Sequence, residues 1–548
     1  MNIFNIKYID HFLEIKNNNY ILRFYIEKIP EGFIVRGKIK GKPGRIEIFR
    51  DIGDRFLFIN NWQSSGSSKV IDTDKYYTSH MKKSKCSDHI FSELIKESIV
   101  SDYFLGKKNA LYGFLTSKIA HPFFIIKNNE IIGYLDYFDK IFDDFTNIES
   151  FIYLENMPLE KLLEIYADYV KAENNIKFSK WKPVVWSSKY LYLKKFKWNN
   201  ILKNLELSKD FKYDVFQLDD SWQKDIGDWI PKDSFPKISE ISKTINNYGY
   251  ITGLWLAPFS ISETSEIFKK HKEWLIKDEN NLPKVAYIYF NKKIYALDTT
   301  HPDAQEYIKK TFLYLKNNGI QYFKIDFLFS GATPGKRYLN VTPIEAYHIG
   351  MKIIKESLKD NFILGCKAPL LTSFNYVDGM EIGTSPHCNI DDYDFVYPYV
   401  YSLKNTISKF FINEKWWWNN PSCLLLNTKN SGLNSKIVEM YAYVSSFLNN
   451  MTIQCDDLSK ELKKDIYFKT LKFRNGTYSV KGLMNINNEY EIISYLPFYG
   501  RTNIKINLNN IEYKIFSDIE YPELEKTIKL KNDKRLFYYY SEKSDNNA

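Results

Sequence analysis

The chain is predicted to fold in three parts: an N-terminal antiparallel sandwich, a central (β/α)8 barrel and a small C-terminal β domain. Three observations predict this. Short alternating strands fill the first third, buried-looking strands then alternate with helical stretches, and alternation returns near the end.

Residues 1–175 carry the runs YILRFYIEKI, GFIVRGKIKG, RIEIFRD, LYGFLTSKI, HPFFIIKNN and EIIGYLDYF, separated by turn residues such as Gly41–Gly44 and Asn128–Asn129. That pattern predicts paired antiparallel strands. In residues 176–460 the rhythm changes. The strand candidates are 184–188, 214–220, 250–259, 322–329, 362–369, 377–383, 423–427 and 451–455. Helices are expected between them near 199–209, 237–248, after Ser262 as N-cap, and near 343–359. Eight strands with intervening helices predict a (β/α)8 barrel. Residues 461–548 return to alternation in YSVKGLMNI, YEIISYLPF, TNIKINL and RLFYYYS.

Composition excludes several classes. The chain has 548 residues with 76 basic and 66 acidic side chains, a net charge of +10. So mild an excess lacks the dense basic patch of a nucleic-acid binder. Hydrophobic residues at 44% exclude a disordered chain. The N-terminus lacks the apolar core of a signal peptide, and no run of ~18 apolar residues suggests a membrane span. The five cysteines at 86, 366, 388, 423 and 455 form no CxxC or zinc-like spacing, so no disulfide framework and no metal are expected. No phosphate loop or dinucleotide fingerprint occurs, so no cofactor is implied. The expectation is a cytoplasmic protein with no nucleic-acid or membrane partner and of unknown oligomeric state.

In such a barrel, functional residues stand at the C-terminal strand ends. Those ends hold Ser188 and Lys189, Asp219 and Asp220, Trp255, Lys324 and Asp326, Cys366 and Lys367, then Asp378 and Glu381. Lys324 and Asp326 are two apart on a strand, so both face one side. If that side is the lumen, the lysine keeps the carboxylate ionised and nucleophilic. A structural ion pair explains the spacing equally well. Trp222, Trp229, Trp255 and Tyr190 could stack on a sugar ring or belong to the core, and adjacent Asp residues could accept from vicinal hydroxyls.

At these residues the chain resembles glycoside hydrolase family 36, the retaining α-galactosidases, in its compact thermophilic bacterial and archaeal form. The resemblance runs through NNWQS (60–64), SDYF (101–104), YGFLTSKIAHPFF (112–124), FQLDD…KDIGDW (216–229), LAPFSISETS (256–265), NKKIYALD (291–298), YFKIDFLFSGATPG (322–335), FILGC (362–366) and VDGM (377–380). The resemblance implies an N-terminal β-supersandwich, a catalytic (β/α)8 TIM barrel and a C-terminal antiparallel β-sandwich; it also implies a carbohydrate ligand, a galactoside or an altered sugar, and double displacement. The nucleophile falls on Asp326, the hydroxyl-holding pair on Asp219 and Asp220, and further sugar contacts on Trp255, Lys324 and Cys366.

The chain also departs from the family. Where the family's sixth-strand motif reads D-G-M-R-I-G-P-D, residues 378–385 read D-G-M-E-I-G-T-S. Glu381 replaces the sugar-contacting Arg, and Ser385 replaces the acid/base Asp. Ser65, Lys189, Ile288 and Lys367 replace a Trp, an aromatic, an Arg and a Gly of the family pocket. A serine does not titrate near neutral pH, and general acid help is worth ~10²–10⁴-fold. Glu381 is the best-placed substitute acid, followed by Asp391 and Asp392, although Glu381 could instead answer Lys367 or Lys189. The expectation is a family 36-type α-galactosidase fold with weak or altered activity on ordinary α-galactosides. The alternatives are an inactive sugar- or partner-binding homologue and a glycosyl-transferring enzyme using activated donors.

Overall fold

The structure, a computed structural model, describes residues 13–79, 98–189, 197–384, 398–427, 435–496, 500–510, 512–517 and 527–529. In the N-terminal part, one sheet of nine strands faces a sheet of four. Alternation drives this layering: along Gly32–Gly41, Phe33, Val35 and Ile39 are buried while Lys38 and Lys40 are exposed. The helix Leu159–Glu173 closes over the larger sheet through Leu159, Leu162, Leu163, Tyr166 and Val170, an i, i+3, i+4, i+7 stripe. Two glycines permit the approach. A Cβ on Gly106 would lie 2.5 Å from Leu159, and one on Gly113 would lie 2.5 Å from Tyr166.

The barrel strands are Val184–Ser187, Val215–Leu218, Ile251–Leu256, Tyr322–Ile325, Phe362–Cys366, Gly379–Glu381, a divided seventh strand, and Thr452–Gln454. All pairings are parallel. The seventh strand has two pieces. Trp418–Asn420 pairs with the sixth strand and Cys423–Leu424 with the eighth, so the sheet closes across a break at Pro421–Ser422. Sequence reading began this strand at 423 and placed the tryptophan run before it, but Trp418 belongs to it. Trp416 and Trp417 are fully buried.

Period-two alternation decides what enters the barrel. Val185, Val215, Tyr322, Leu364 and Ile453 fill its interior together with Cys423 and Cys455, which are disulfide-bonded. This corrects the reading of unpaired cysteines. Their spacing resembles no motif, because their proximity comes from barrel closure between the seventh and eighth strands. Among the described residues, no helix is long and apolar enough to cross a membrane.

Helices Trp198–Leu207, Ile238–Asn247 and Pro343–Leu358 follow expectation within two residues. Thr342 and Glu345 form a capping box on the last. Ser262 caps no helix. It ends the short strand Ser260–Ser262, and Ser265 caps Glu266–Lys270 by accepting from the Phe268 N–H. That strand pairs with the hairpin Val285–Tyr289/Lys292–Ala296, which stands over the barrel mouth.

The N-terminal part is fastened to the barrel by the loop after residue 59. The Ser64 N–H donates to the Ala368 carbonyl at 2.8 Å, the Leu370 N–H to Trp62 at 3.1 Å, and Lys409 to the carbonyls of Ser64 and Gly66. The described C-terminal strands Thr477–Lys481, Glu489–Leu496, Gly500–Asn507, Glu512–Ser517 and Thr527–Lys529 form one antiparallel meander. Its apolar face meets helix Ser435–Phe447, with Tyr443 and Tyr513 rings 6.0 Å apart.

Candidate active site

The same alternation that fills the barrel continues upward. Gln217 and Lys324 follow Val215 and Tyr322, and Asp219 and Asp326 follow them. Above, a pocket of about 440 Å³ is lined by Ser188, Lys189, Asp219, Asp220, Trp255, Tyr289 and Asp326, together with Gln223, Lys224, Asp225, Lys232 and Lys292. That volume lies within the usual range of small-molecule sites.

Asp326 stands just past the end of its strand, 7% exposed. Its Oδ2 accepts from the Trp255 Nε1–H at 3.1 Å and its Oδ1 from the Phe327 N–H at 2.7 Å. Phe327 has φ of 50°, the left-handed region, which costs a non-glycine residue ~1–3 kcal/mol. The turn aims its N–H back at the carboxylate. Stacking of Phe327 on Tyr287, with centroids 4.4 Å apart, holds it there.

Lys324 does not pair with Asp326, contrary to the expectation from their spacing. They share a face but lie in successive layers, and Lys324 serves the lower one. Its Nζ lies 2.9 Å from Asp219 Oδ2 and 3.7 Å from Glu381 Oε2. Lys189 reaches Glu381 from the other side at 3.3 Å. All four residues are buried or nearly so, and the charges answer each other. Burial alone would push the Asp219 carboxyl up, but Lys324 and Lys189 outweigh it and hold it below its ordinary value. Burial would likewise lower the two lysines, but Glu381 holds Lys189 above its ordinary value and Asp219 does the same for Lys324. Gln217 adds a 2.8 Å bond to Asp219 Oδ2, and the Asp219 N–H donates to Ser188 Oγ.

Asp220 has a different environment. Its side-chain hydrogen-bond donors among the described residues are neutral, Tyr289 OH at 2.8 Å and Gln223 Nε2 at 2.8 Å, and burial pushes its carboxyl up. Sequence reasoning missed Tyr289, Gln217 and Gln223. Tyr289 sits on a hairpin remote in sequence from every strand end, whereas the position of Gln217 two residues before Asp219 was an available signal.

Several expected residues stand elsewhere. Cys366 and Lys324 lie beneath the pocket and are absent from its wall; burial pushes the Cys366 thiol up and keeps it neutral. Glu381 is also absent from the wall, and its partners are Lys189 and Lys324, not Lys367. Lys367 places its ammonium 4.4 Å from the Phe327 ring centroid and has φ of 48°, a conformation that favours glycine. Asp378 lies at the opposite end of the barrel. It precedes the sixth strand and accepts from the N–H groups of Ser179 and Ile363. Trp222 is fully buried and donates to the Trp255 carbonyl; Trp229 packs against Trp255. Of the four aromatics considered for stacking, Trp255 lines the pocket and Tyr190 lies outside the described residues. Ser385, Asp391 and Asp392 also lie outside them. Ser65 gives its carbonyl to Tyr401 and Asn405, and Ile288 points outward at 61% exposure.

A β-rich N-terminal part stands on a parallel-stranded barrel, with carboxylates, a lysine and a tryptophan gathered at the strand ends. Residues 25–155 match the family model described as alpha-galactosidase, N-terminal, and residues 144–362 match the one described as melibiase. The chain is a glycoside hydrolase family 36 α-galactosidase-like protein. It is 24% identical over 193 residues to alpha-galactosidase AgaA of Geobacillus stearothermophilus, a match spanning 32% of this chain and a quarter of that protein. The fold resembles that of the Thermus thermophilus α-galactosidase TtGalA in complex with p-nitrophenyl α-D-galactopyranoside. The TM-score is 0.69 at 20% identity, covering 88% of this chain and 98% of the other. An AgaA variant in complex with 1-deoxygalactonojirimycin gives 0.63 at 12% identity, covering 96% and 83%.

Proposed function

We propose that the chain is a retaining glycosidase of α-galactosidase type that keeps its nucleophile, Asp326, and lacks the usual proton donor, whose place in the sequence is taken by Ser385. The observation that carries this reading is the setting of Asp326: a pocket-facing carboxylate with one N–H on each oxygen. Such bonds fix its direction of attack on an anomeric carbon. Asp219 and Asp220 hold sugar hydroxyls and Trp255 contributes ring surface, while Lys324 and Cys366 act from below. TtGalA and AgaA are α-galactosidases whose complexes include galactosides, which supports a galactoside-like ligand here. We place the domain boundaries near residues 175 and 460.

In a retaining enzyme the second carboxyl group lies ~5–5.5 Å from the nucleophile. We assign Glu381 to charge balance rather than to that role, because its oxygens face two ammonium groups below the pocket wall. Departure of a poor leaving group then lacks proton transfer, a loss of ~10²–10⁴-fold.

Kinetics with a dinitrophenyl α-galactoside and with melibiose test this proposal. The reading predicts turnover of the first, faster with azide, and little of the second. Equal competence on both would mean that a donor is present. Sugar binding without turnover of either would mark an inactive binding homologue.

A further inference from the structure

Four lysines line the pocket, and three of them are answered. Lys189 faces Glu381 at 3.3 Å, Lys292 faces Asp225 at 3.1 Å, and the exposed Lys224 lies 3.9 Å from Asp233. Lys232 is different. It is half-buried in the pocket wall, its backbone held by a bond from its N–H to the Trp222 carbonyl at 3.0 Å. Among the described residues no carboxylate lies within 4 Å of its ammonium. Its ammonium faces the Phe235 ring, with the centroid 5.1 Å away. A cation–π contact of this kind offsets only part of the cost of desolvating an ammonium. Burial accordingly depresses Lys232, and the carboxylate that opposes the shift is Asp220.

Position gives this unanswered cation a chemical meaning. Asp220 belongs to the hydroxyl-accepting end of the pocket, and its own donors are the neutral Tyr289 and Gln223. A ligand reaching both groups offers hydroxyls to Asp220 and a negative charge to Lys232. We propose that the pocket takes glycosides whose sugar carries an anionic substituent, a phosphate, sulfate or carboxylate, on the end remote from the anomeric carbon, and that Lys232 binds that substituent. This rests on the proposed seating of the anomeric carbon at Asp326. A neutral sugar leaves the Lys232 ammonium unanswered, whereas a charged one completes a charge-assisted contact in a partly desolvated wall.

The test is calorimetric, with the full chain carrying Asp326→Asn so that no turnover intervenes. Galactose, galactose 6-phosphate, galactose 6-sulfate, galacturonate and inorganic phosphate are titrated at one ionic strength. At least one anionic sugar should bind tenfold or more tightly than galactose, and which one does identifies the substituent. That advantage should vanish in Lys232→Met and survive in Lys232→Arg. Anionic and neutral sugars binding within twofold of each other would overturn the proposal. So would an advantage that persists in Lys232→Met, or inorganic phosphate binding as tightly as the sugar phosphate. Failure of every sugar to bind would overturn the glycosidase reading as well, whereas galactose binding without an anionic advantage overturns this inference alone.

Discussion

The Lys324 ammonium lies 2.9 Å from the Asp219 carboxylate beneath the pocket floor, with both groups almost fully buried. The pair ties the second barrel strand to the fourth and supports the layer on which Asp326 stands.

Removing one partner strands the other. Lys324→Met should destabilise the barrel by ~3–5 kcal/mol, the usual cost of an uncompensated buried charge. The folded Asp219 carboxyl lies below its unfolded value, so its contribution is present above ~pH 4 and is lost as pH falls further. The folded Lys324 lies above its unfolded value, so its contribution is present below ~pH 10 and is lost as pH rises beyond that. Thermal unfolding of wild type and variant should therefore differ by a constant gap between pH 5 and 9 that narrows below pH 4.

Tyr289→Phe removes a donor from Asp220 without changing the shape of the hairpin. Burial already raises Asp220, and the Tyr289 bond opposes that rise. Its loss should move the acidic limb of the ligand-binding pH profile to higher pH. Affinity should weaken by about tenfold, the worth of a hydrogen bond to a charged group. Ligand titrations from pH 4 to 8 measure both effects.

Lys409 is buried with backbone carbonyls as partners, and burial lowers it to about 7. Between that value and ~10.4 the unfolded chain binds a proton that the folded chain does not. Stability should therefore rise with pH across this window. Lys182, also lowered to about 7, adds a slope of the same sign. Lys409→Met should flatten the dependence of unfolding temperature on pH by its share, measured from pH 7 to 10.

The barrel was legible because eight apolar runs spaced by helical stretches admit few other folds, and the strand-end rule then gathered Asp219, Asp220, Trp255 and Asp326 without help from three dimensions. What escaped depends on depth and distance. Lys324 and Asp326 share a face, but spacing does not report that one layer separates them. Trp222 and Trp229 lie near the same strand ends as Trp255 yet point into the core. Tyr289 arrives from a hairpin, and the Cys423–Cys455 bond from closure of the sheet, both long-range events with no local signature. For Glu381 the sequence left Lys367 and Lys189 open as partners, whereas its contacts are Lys189 and Lys324.

The most direct measurement is mass-spectrometric mapping of the chain after incubation with 5-fluoro-α-galactosyl fluoride, whose leaving group needs no proton. The account predicts one glycosyl ester on the peptide carrying Asp326, absent from Asp326→Asn. A chain that binds the sugar yet stays unlabelled, or a label on any other residue, would contradict it.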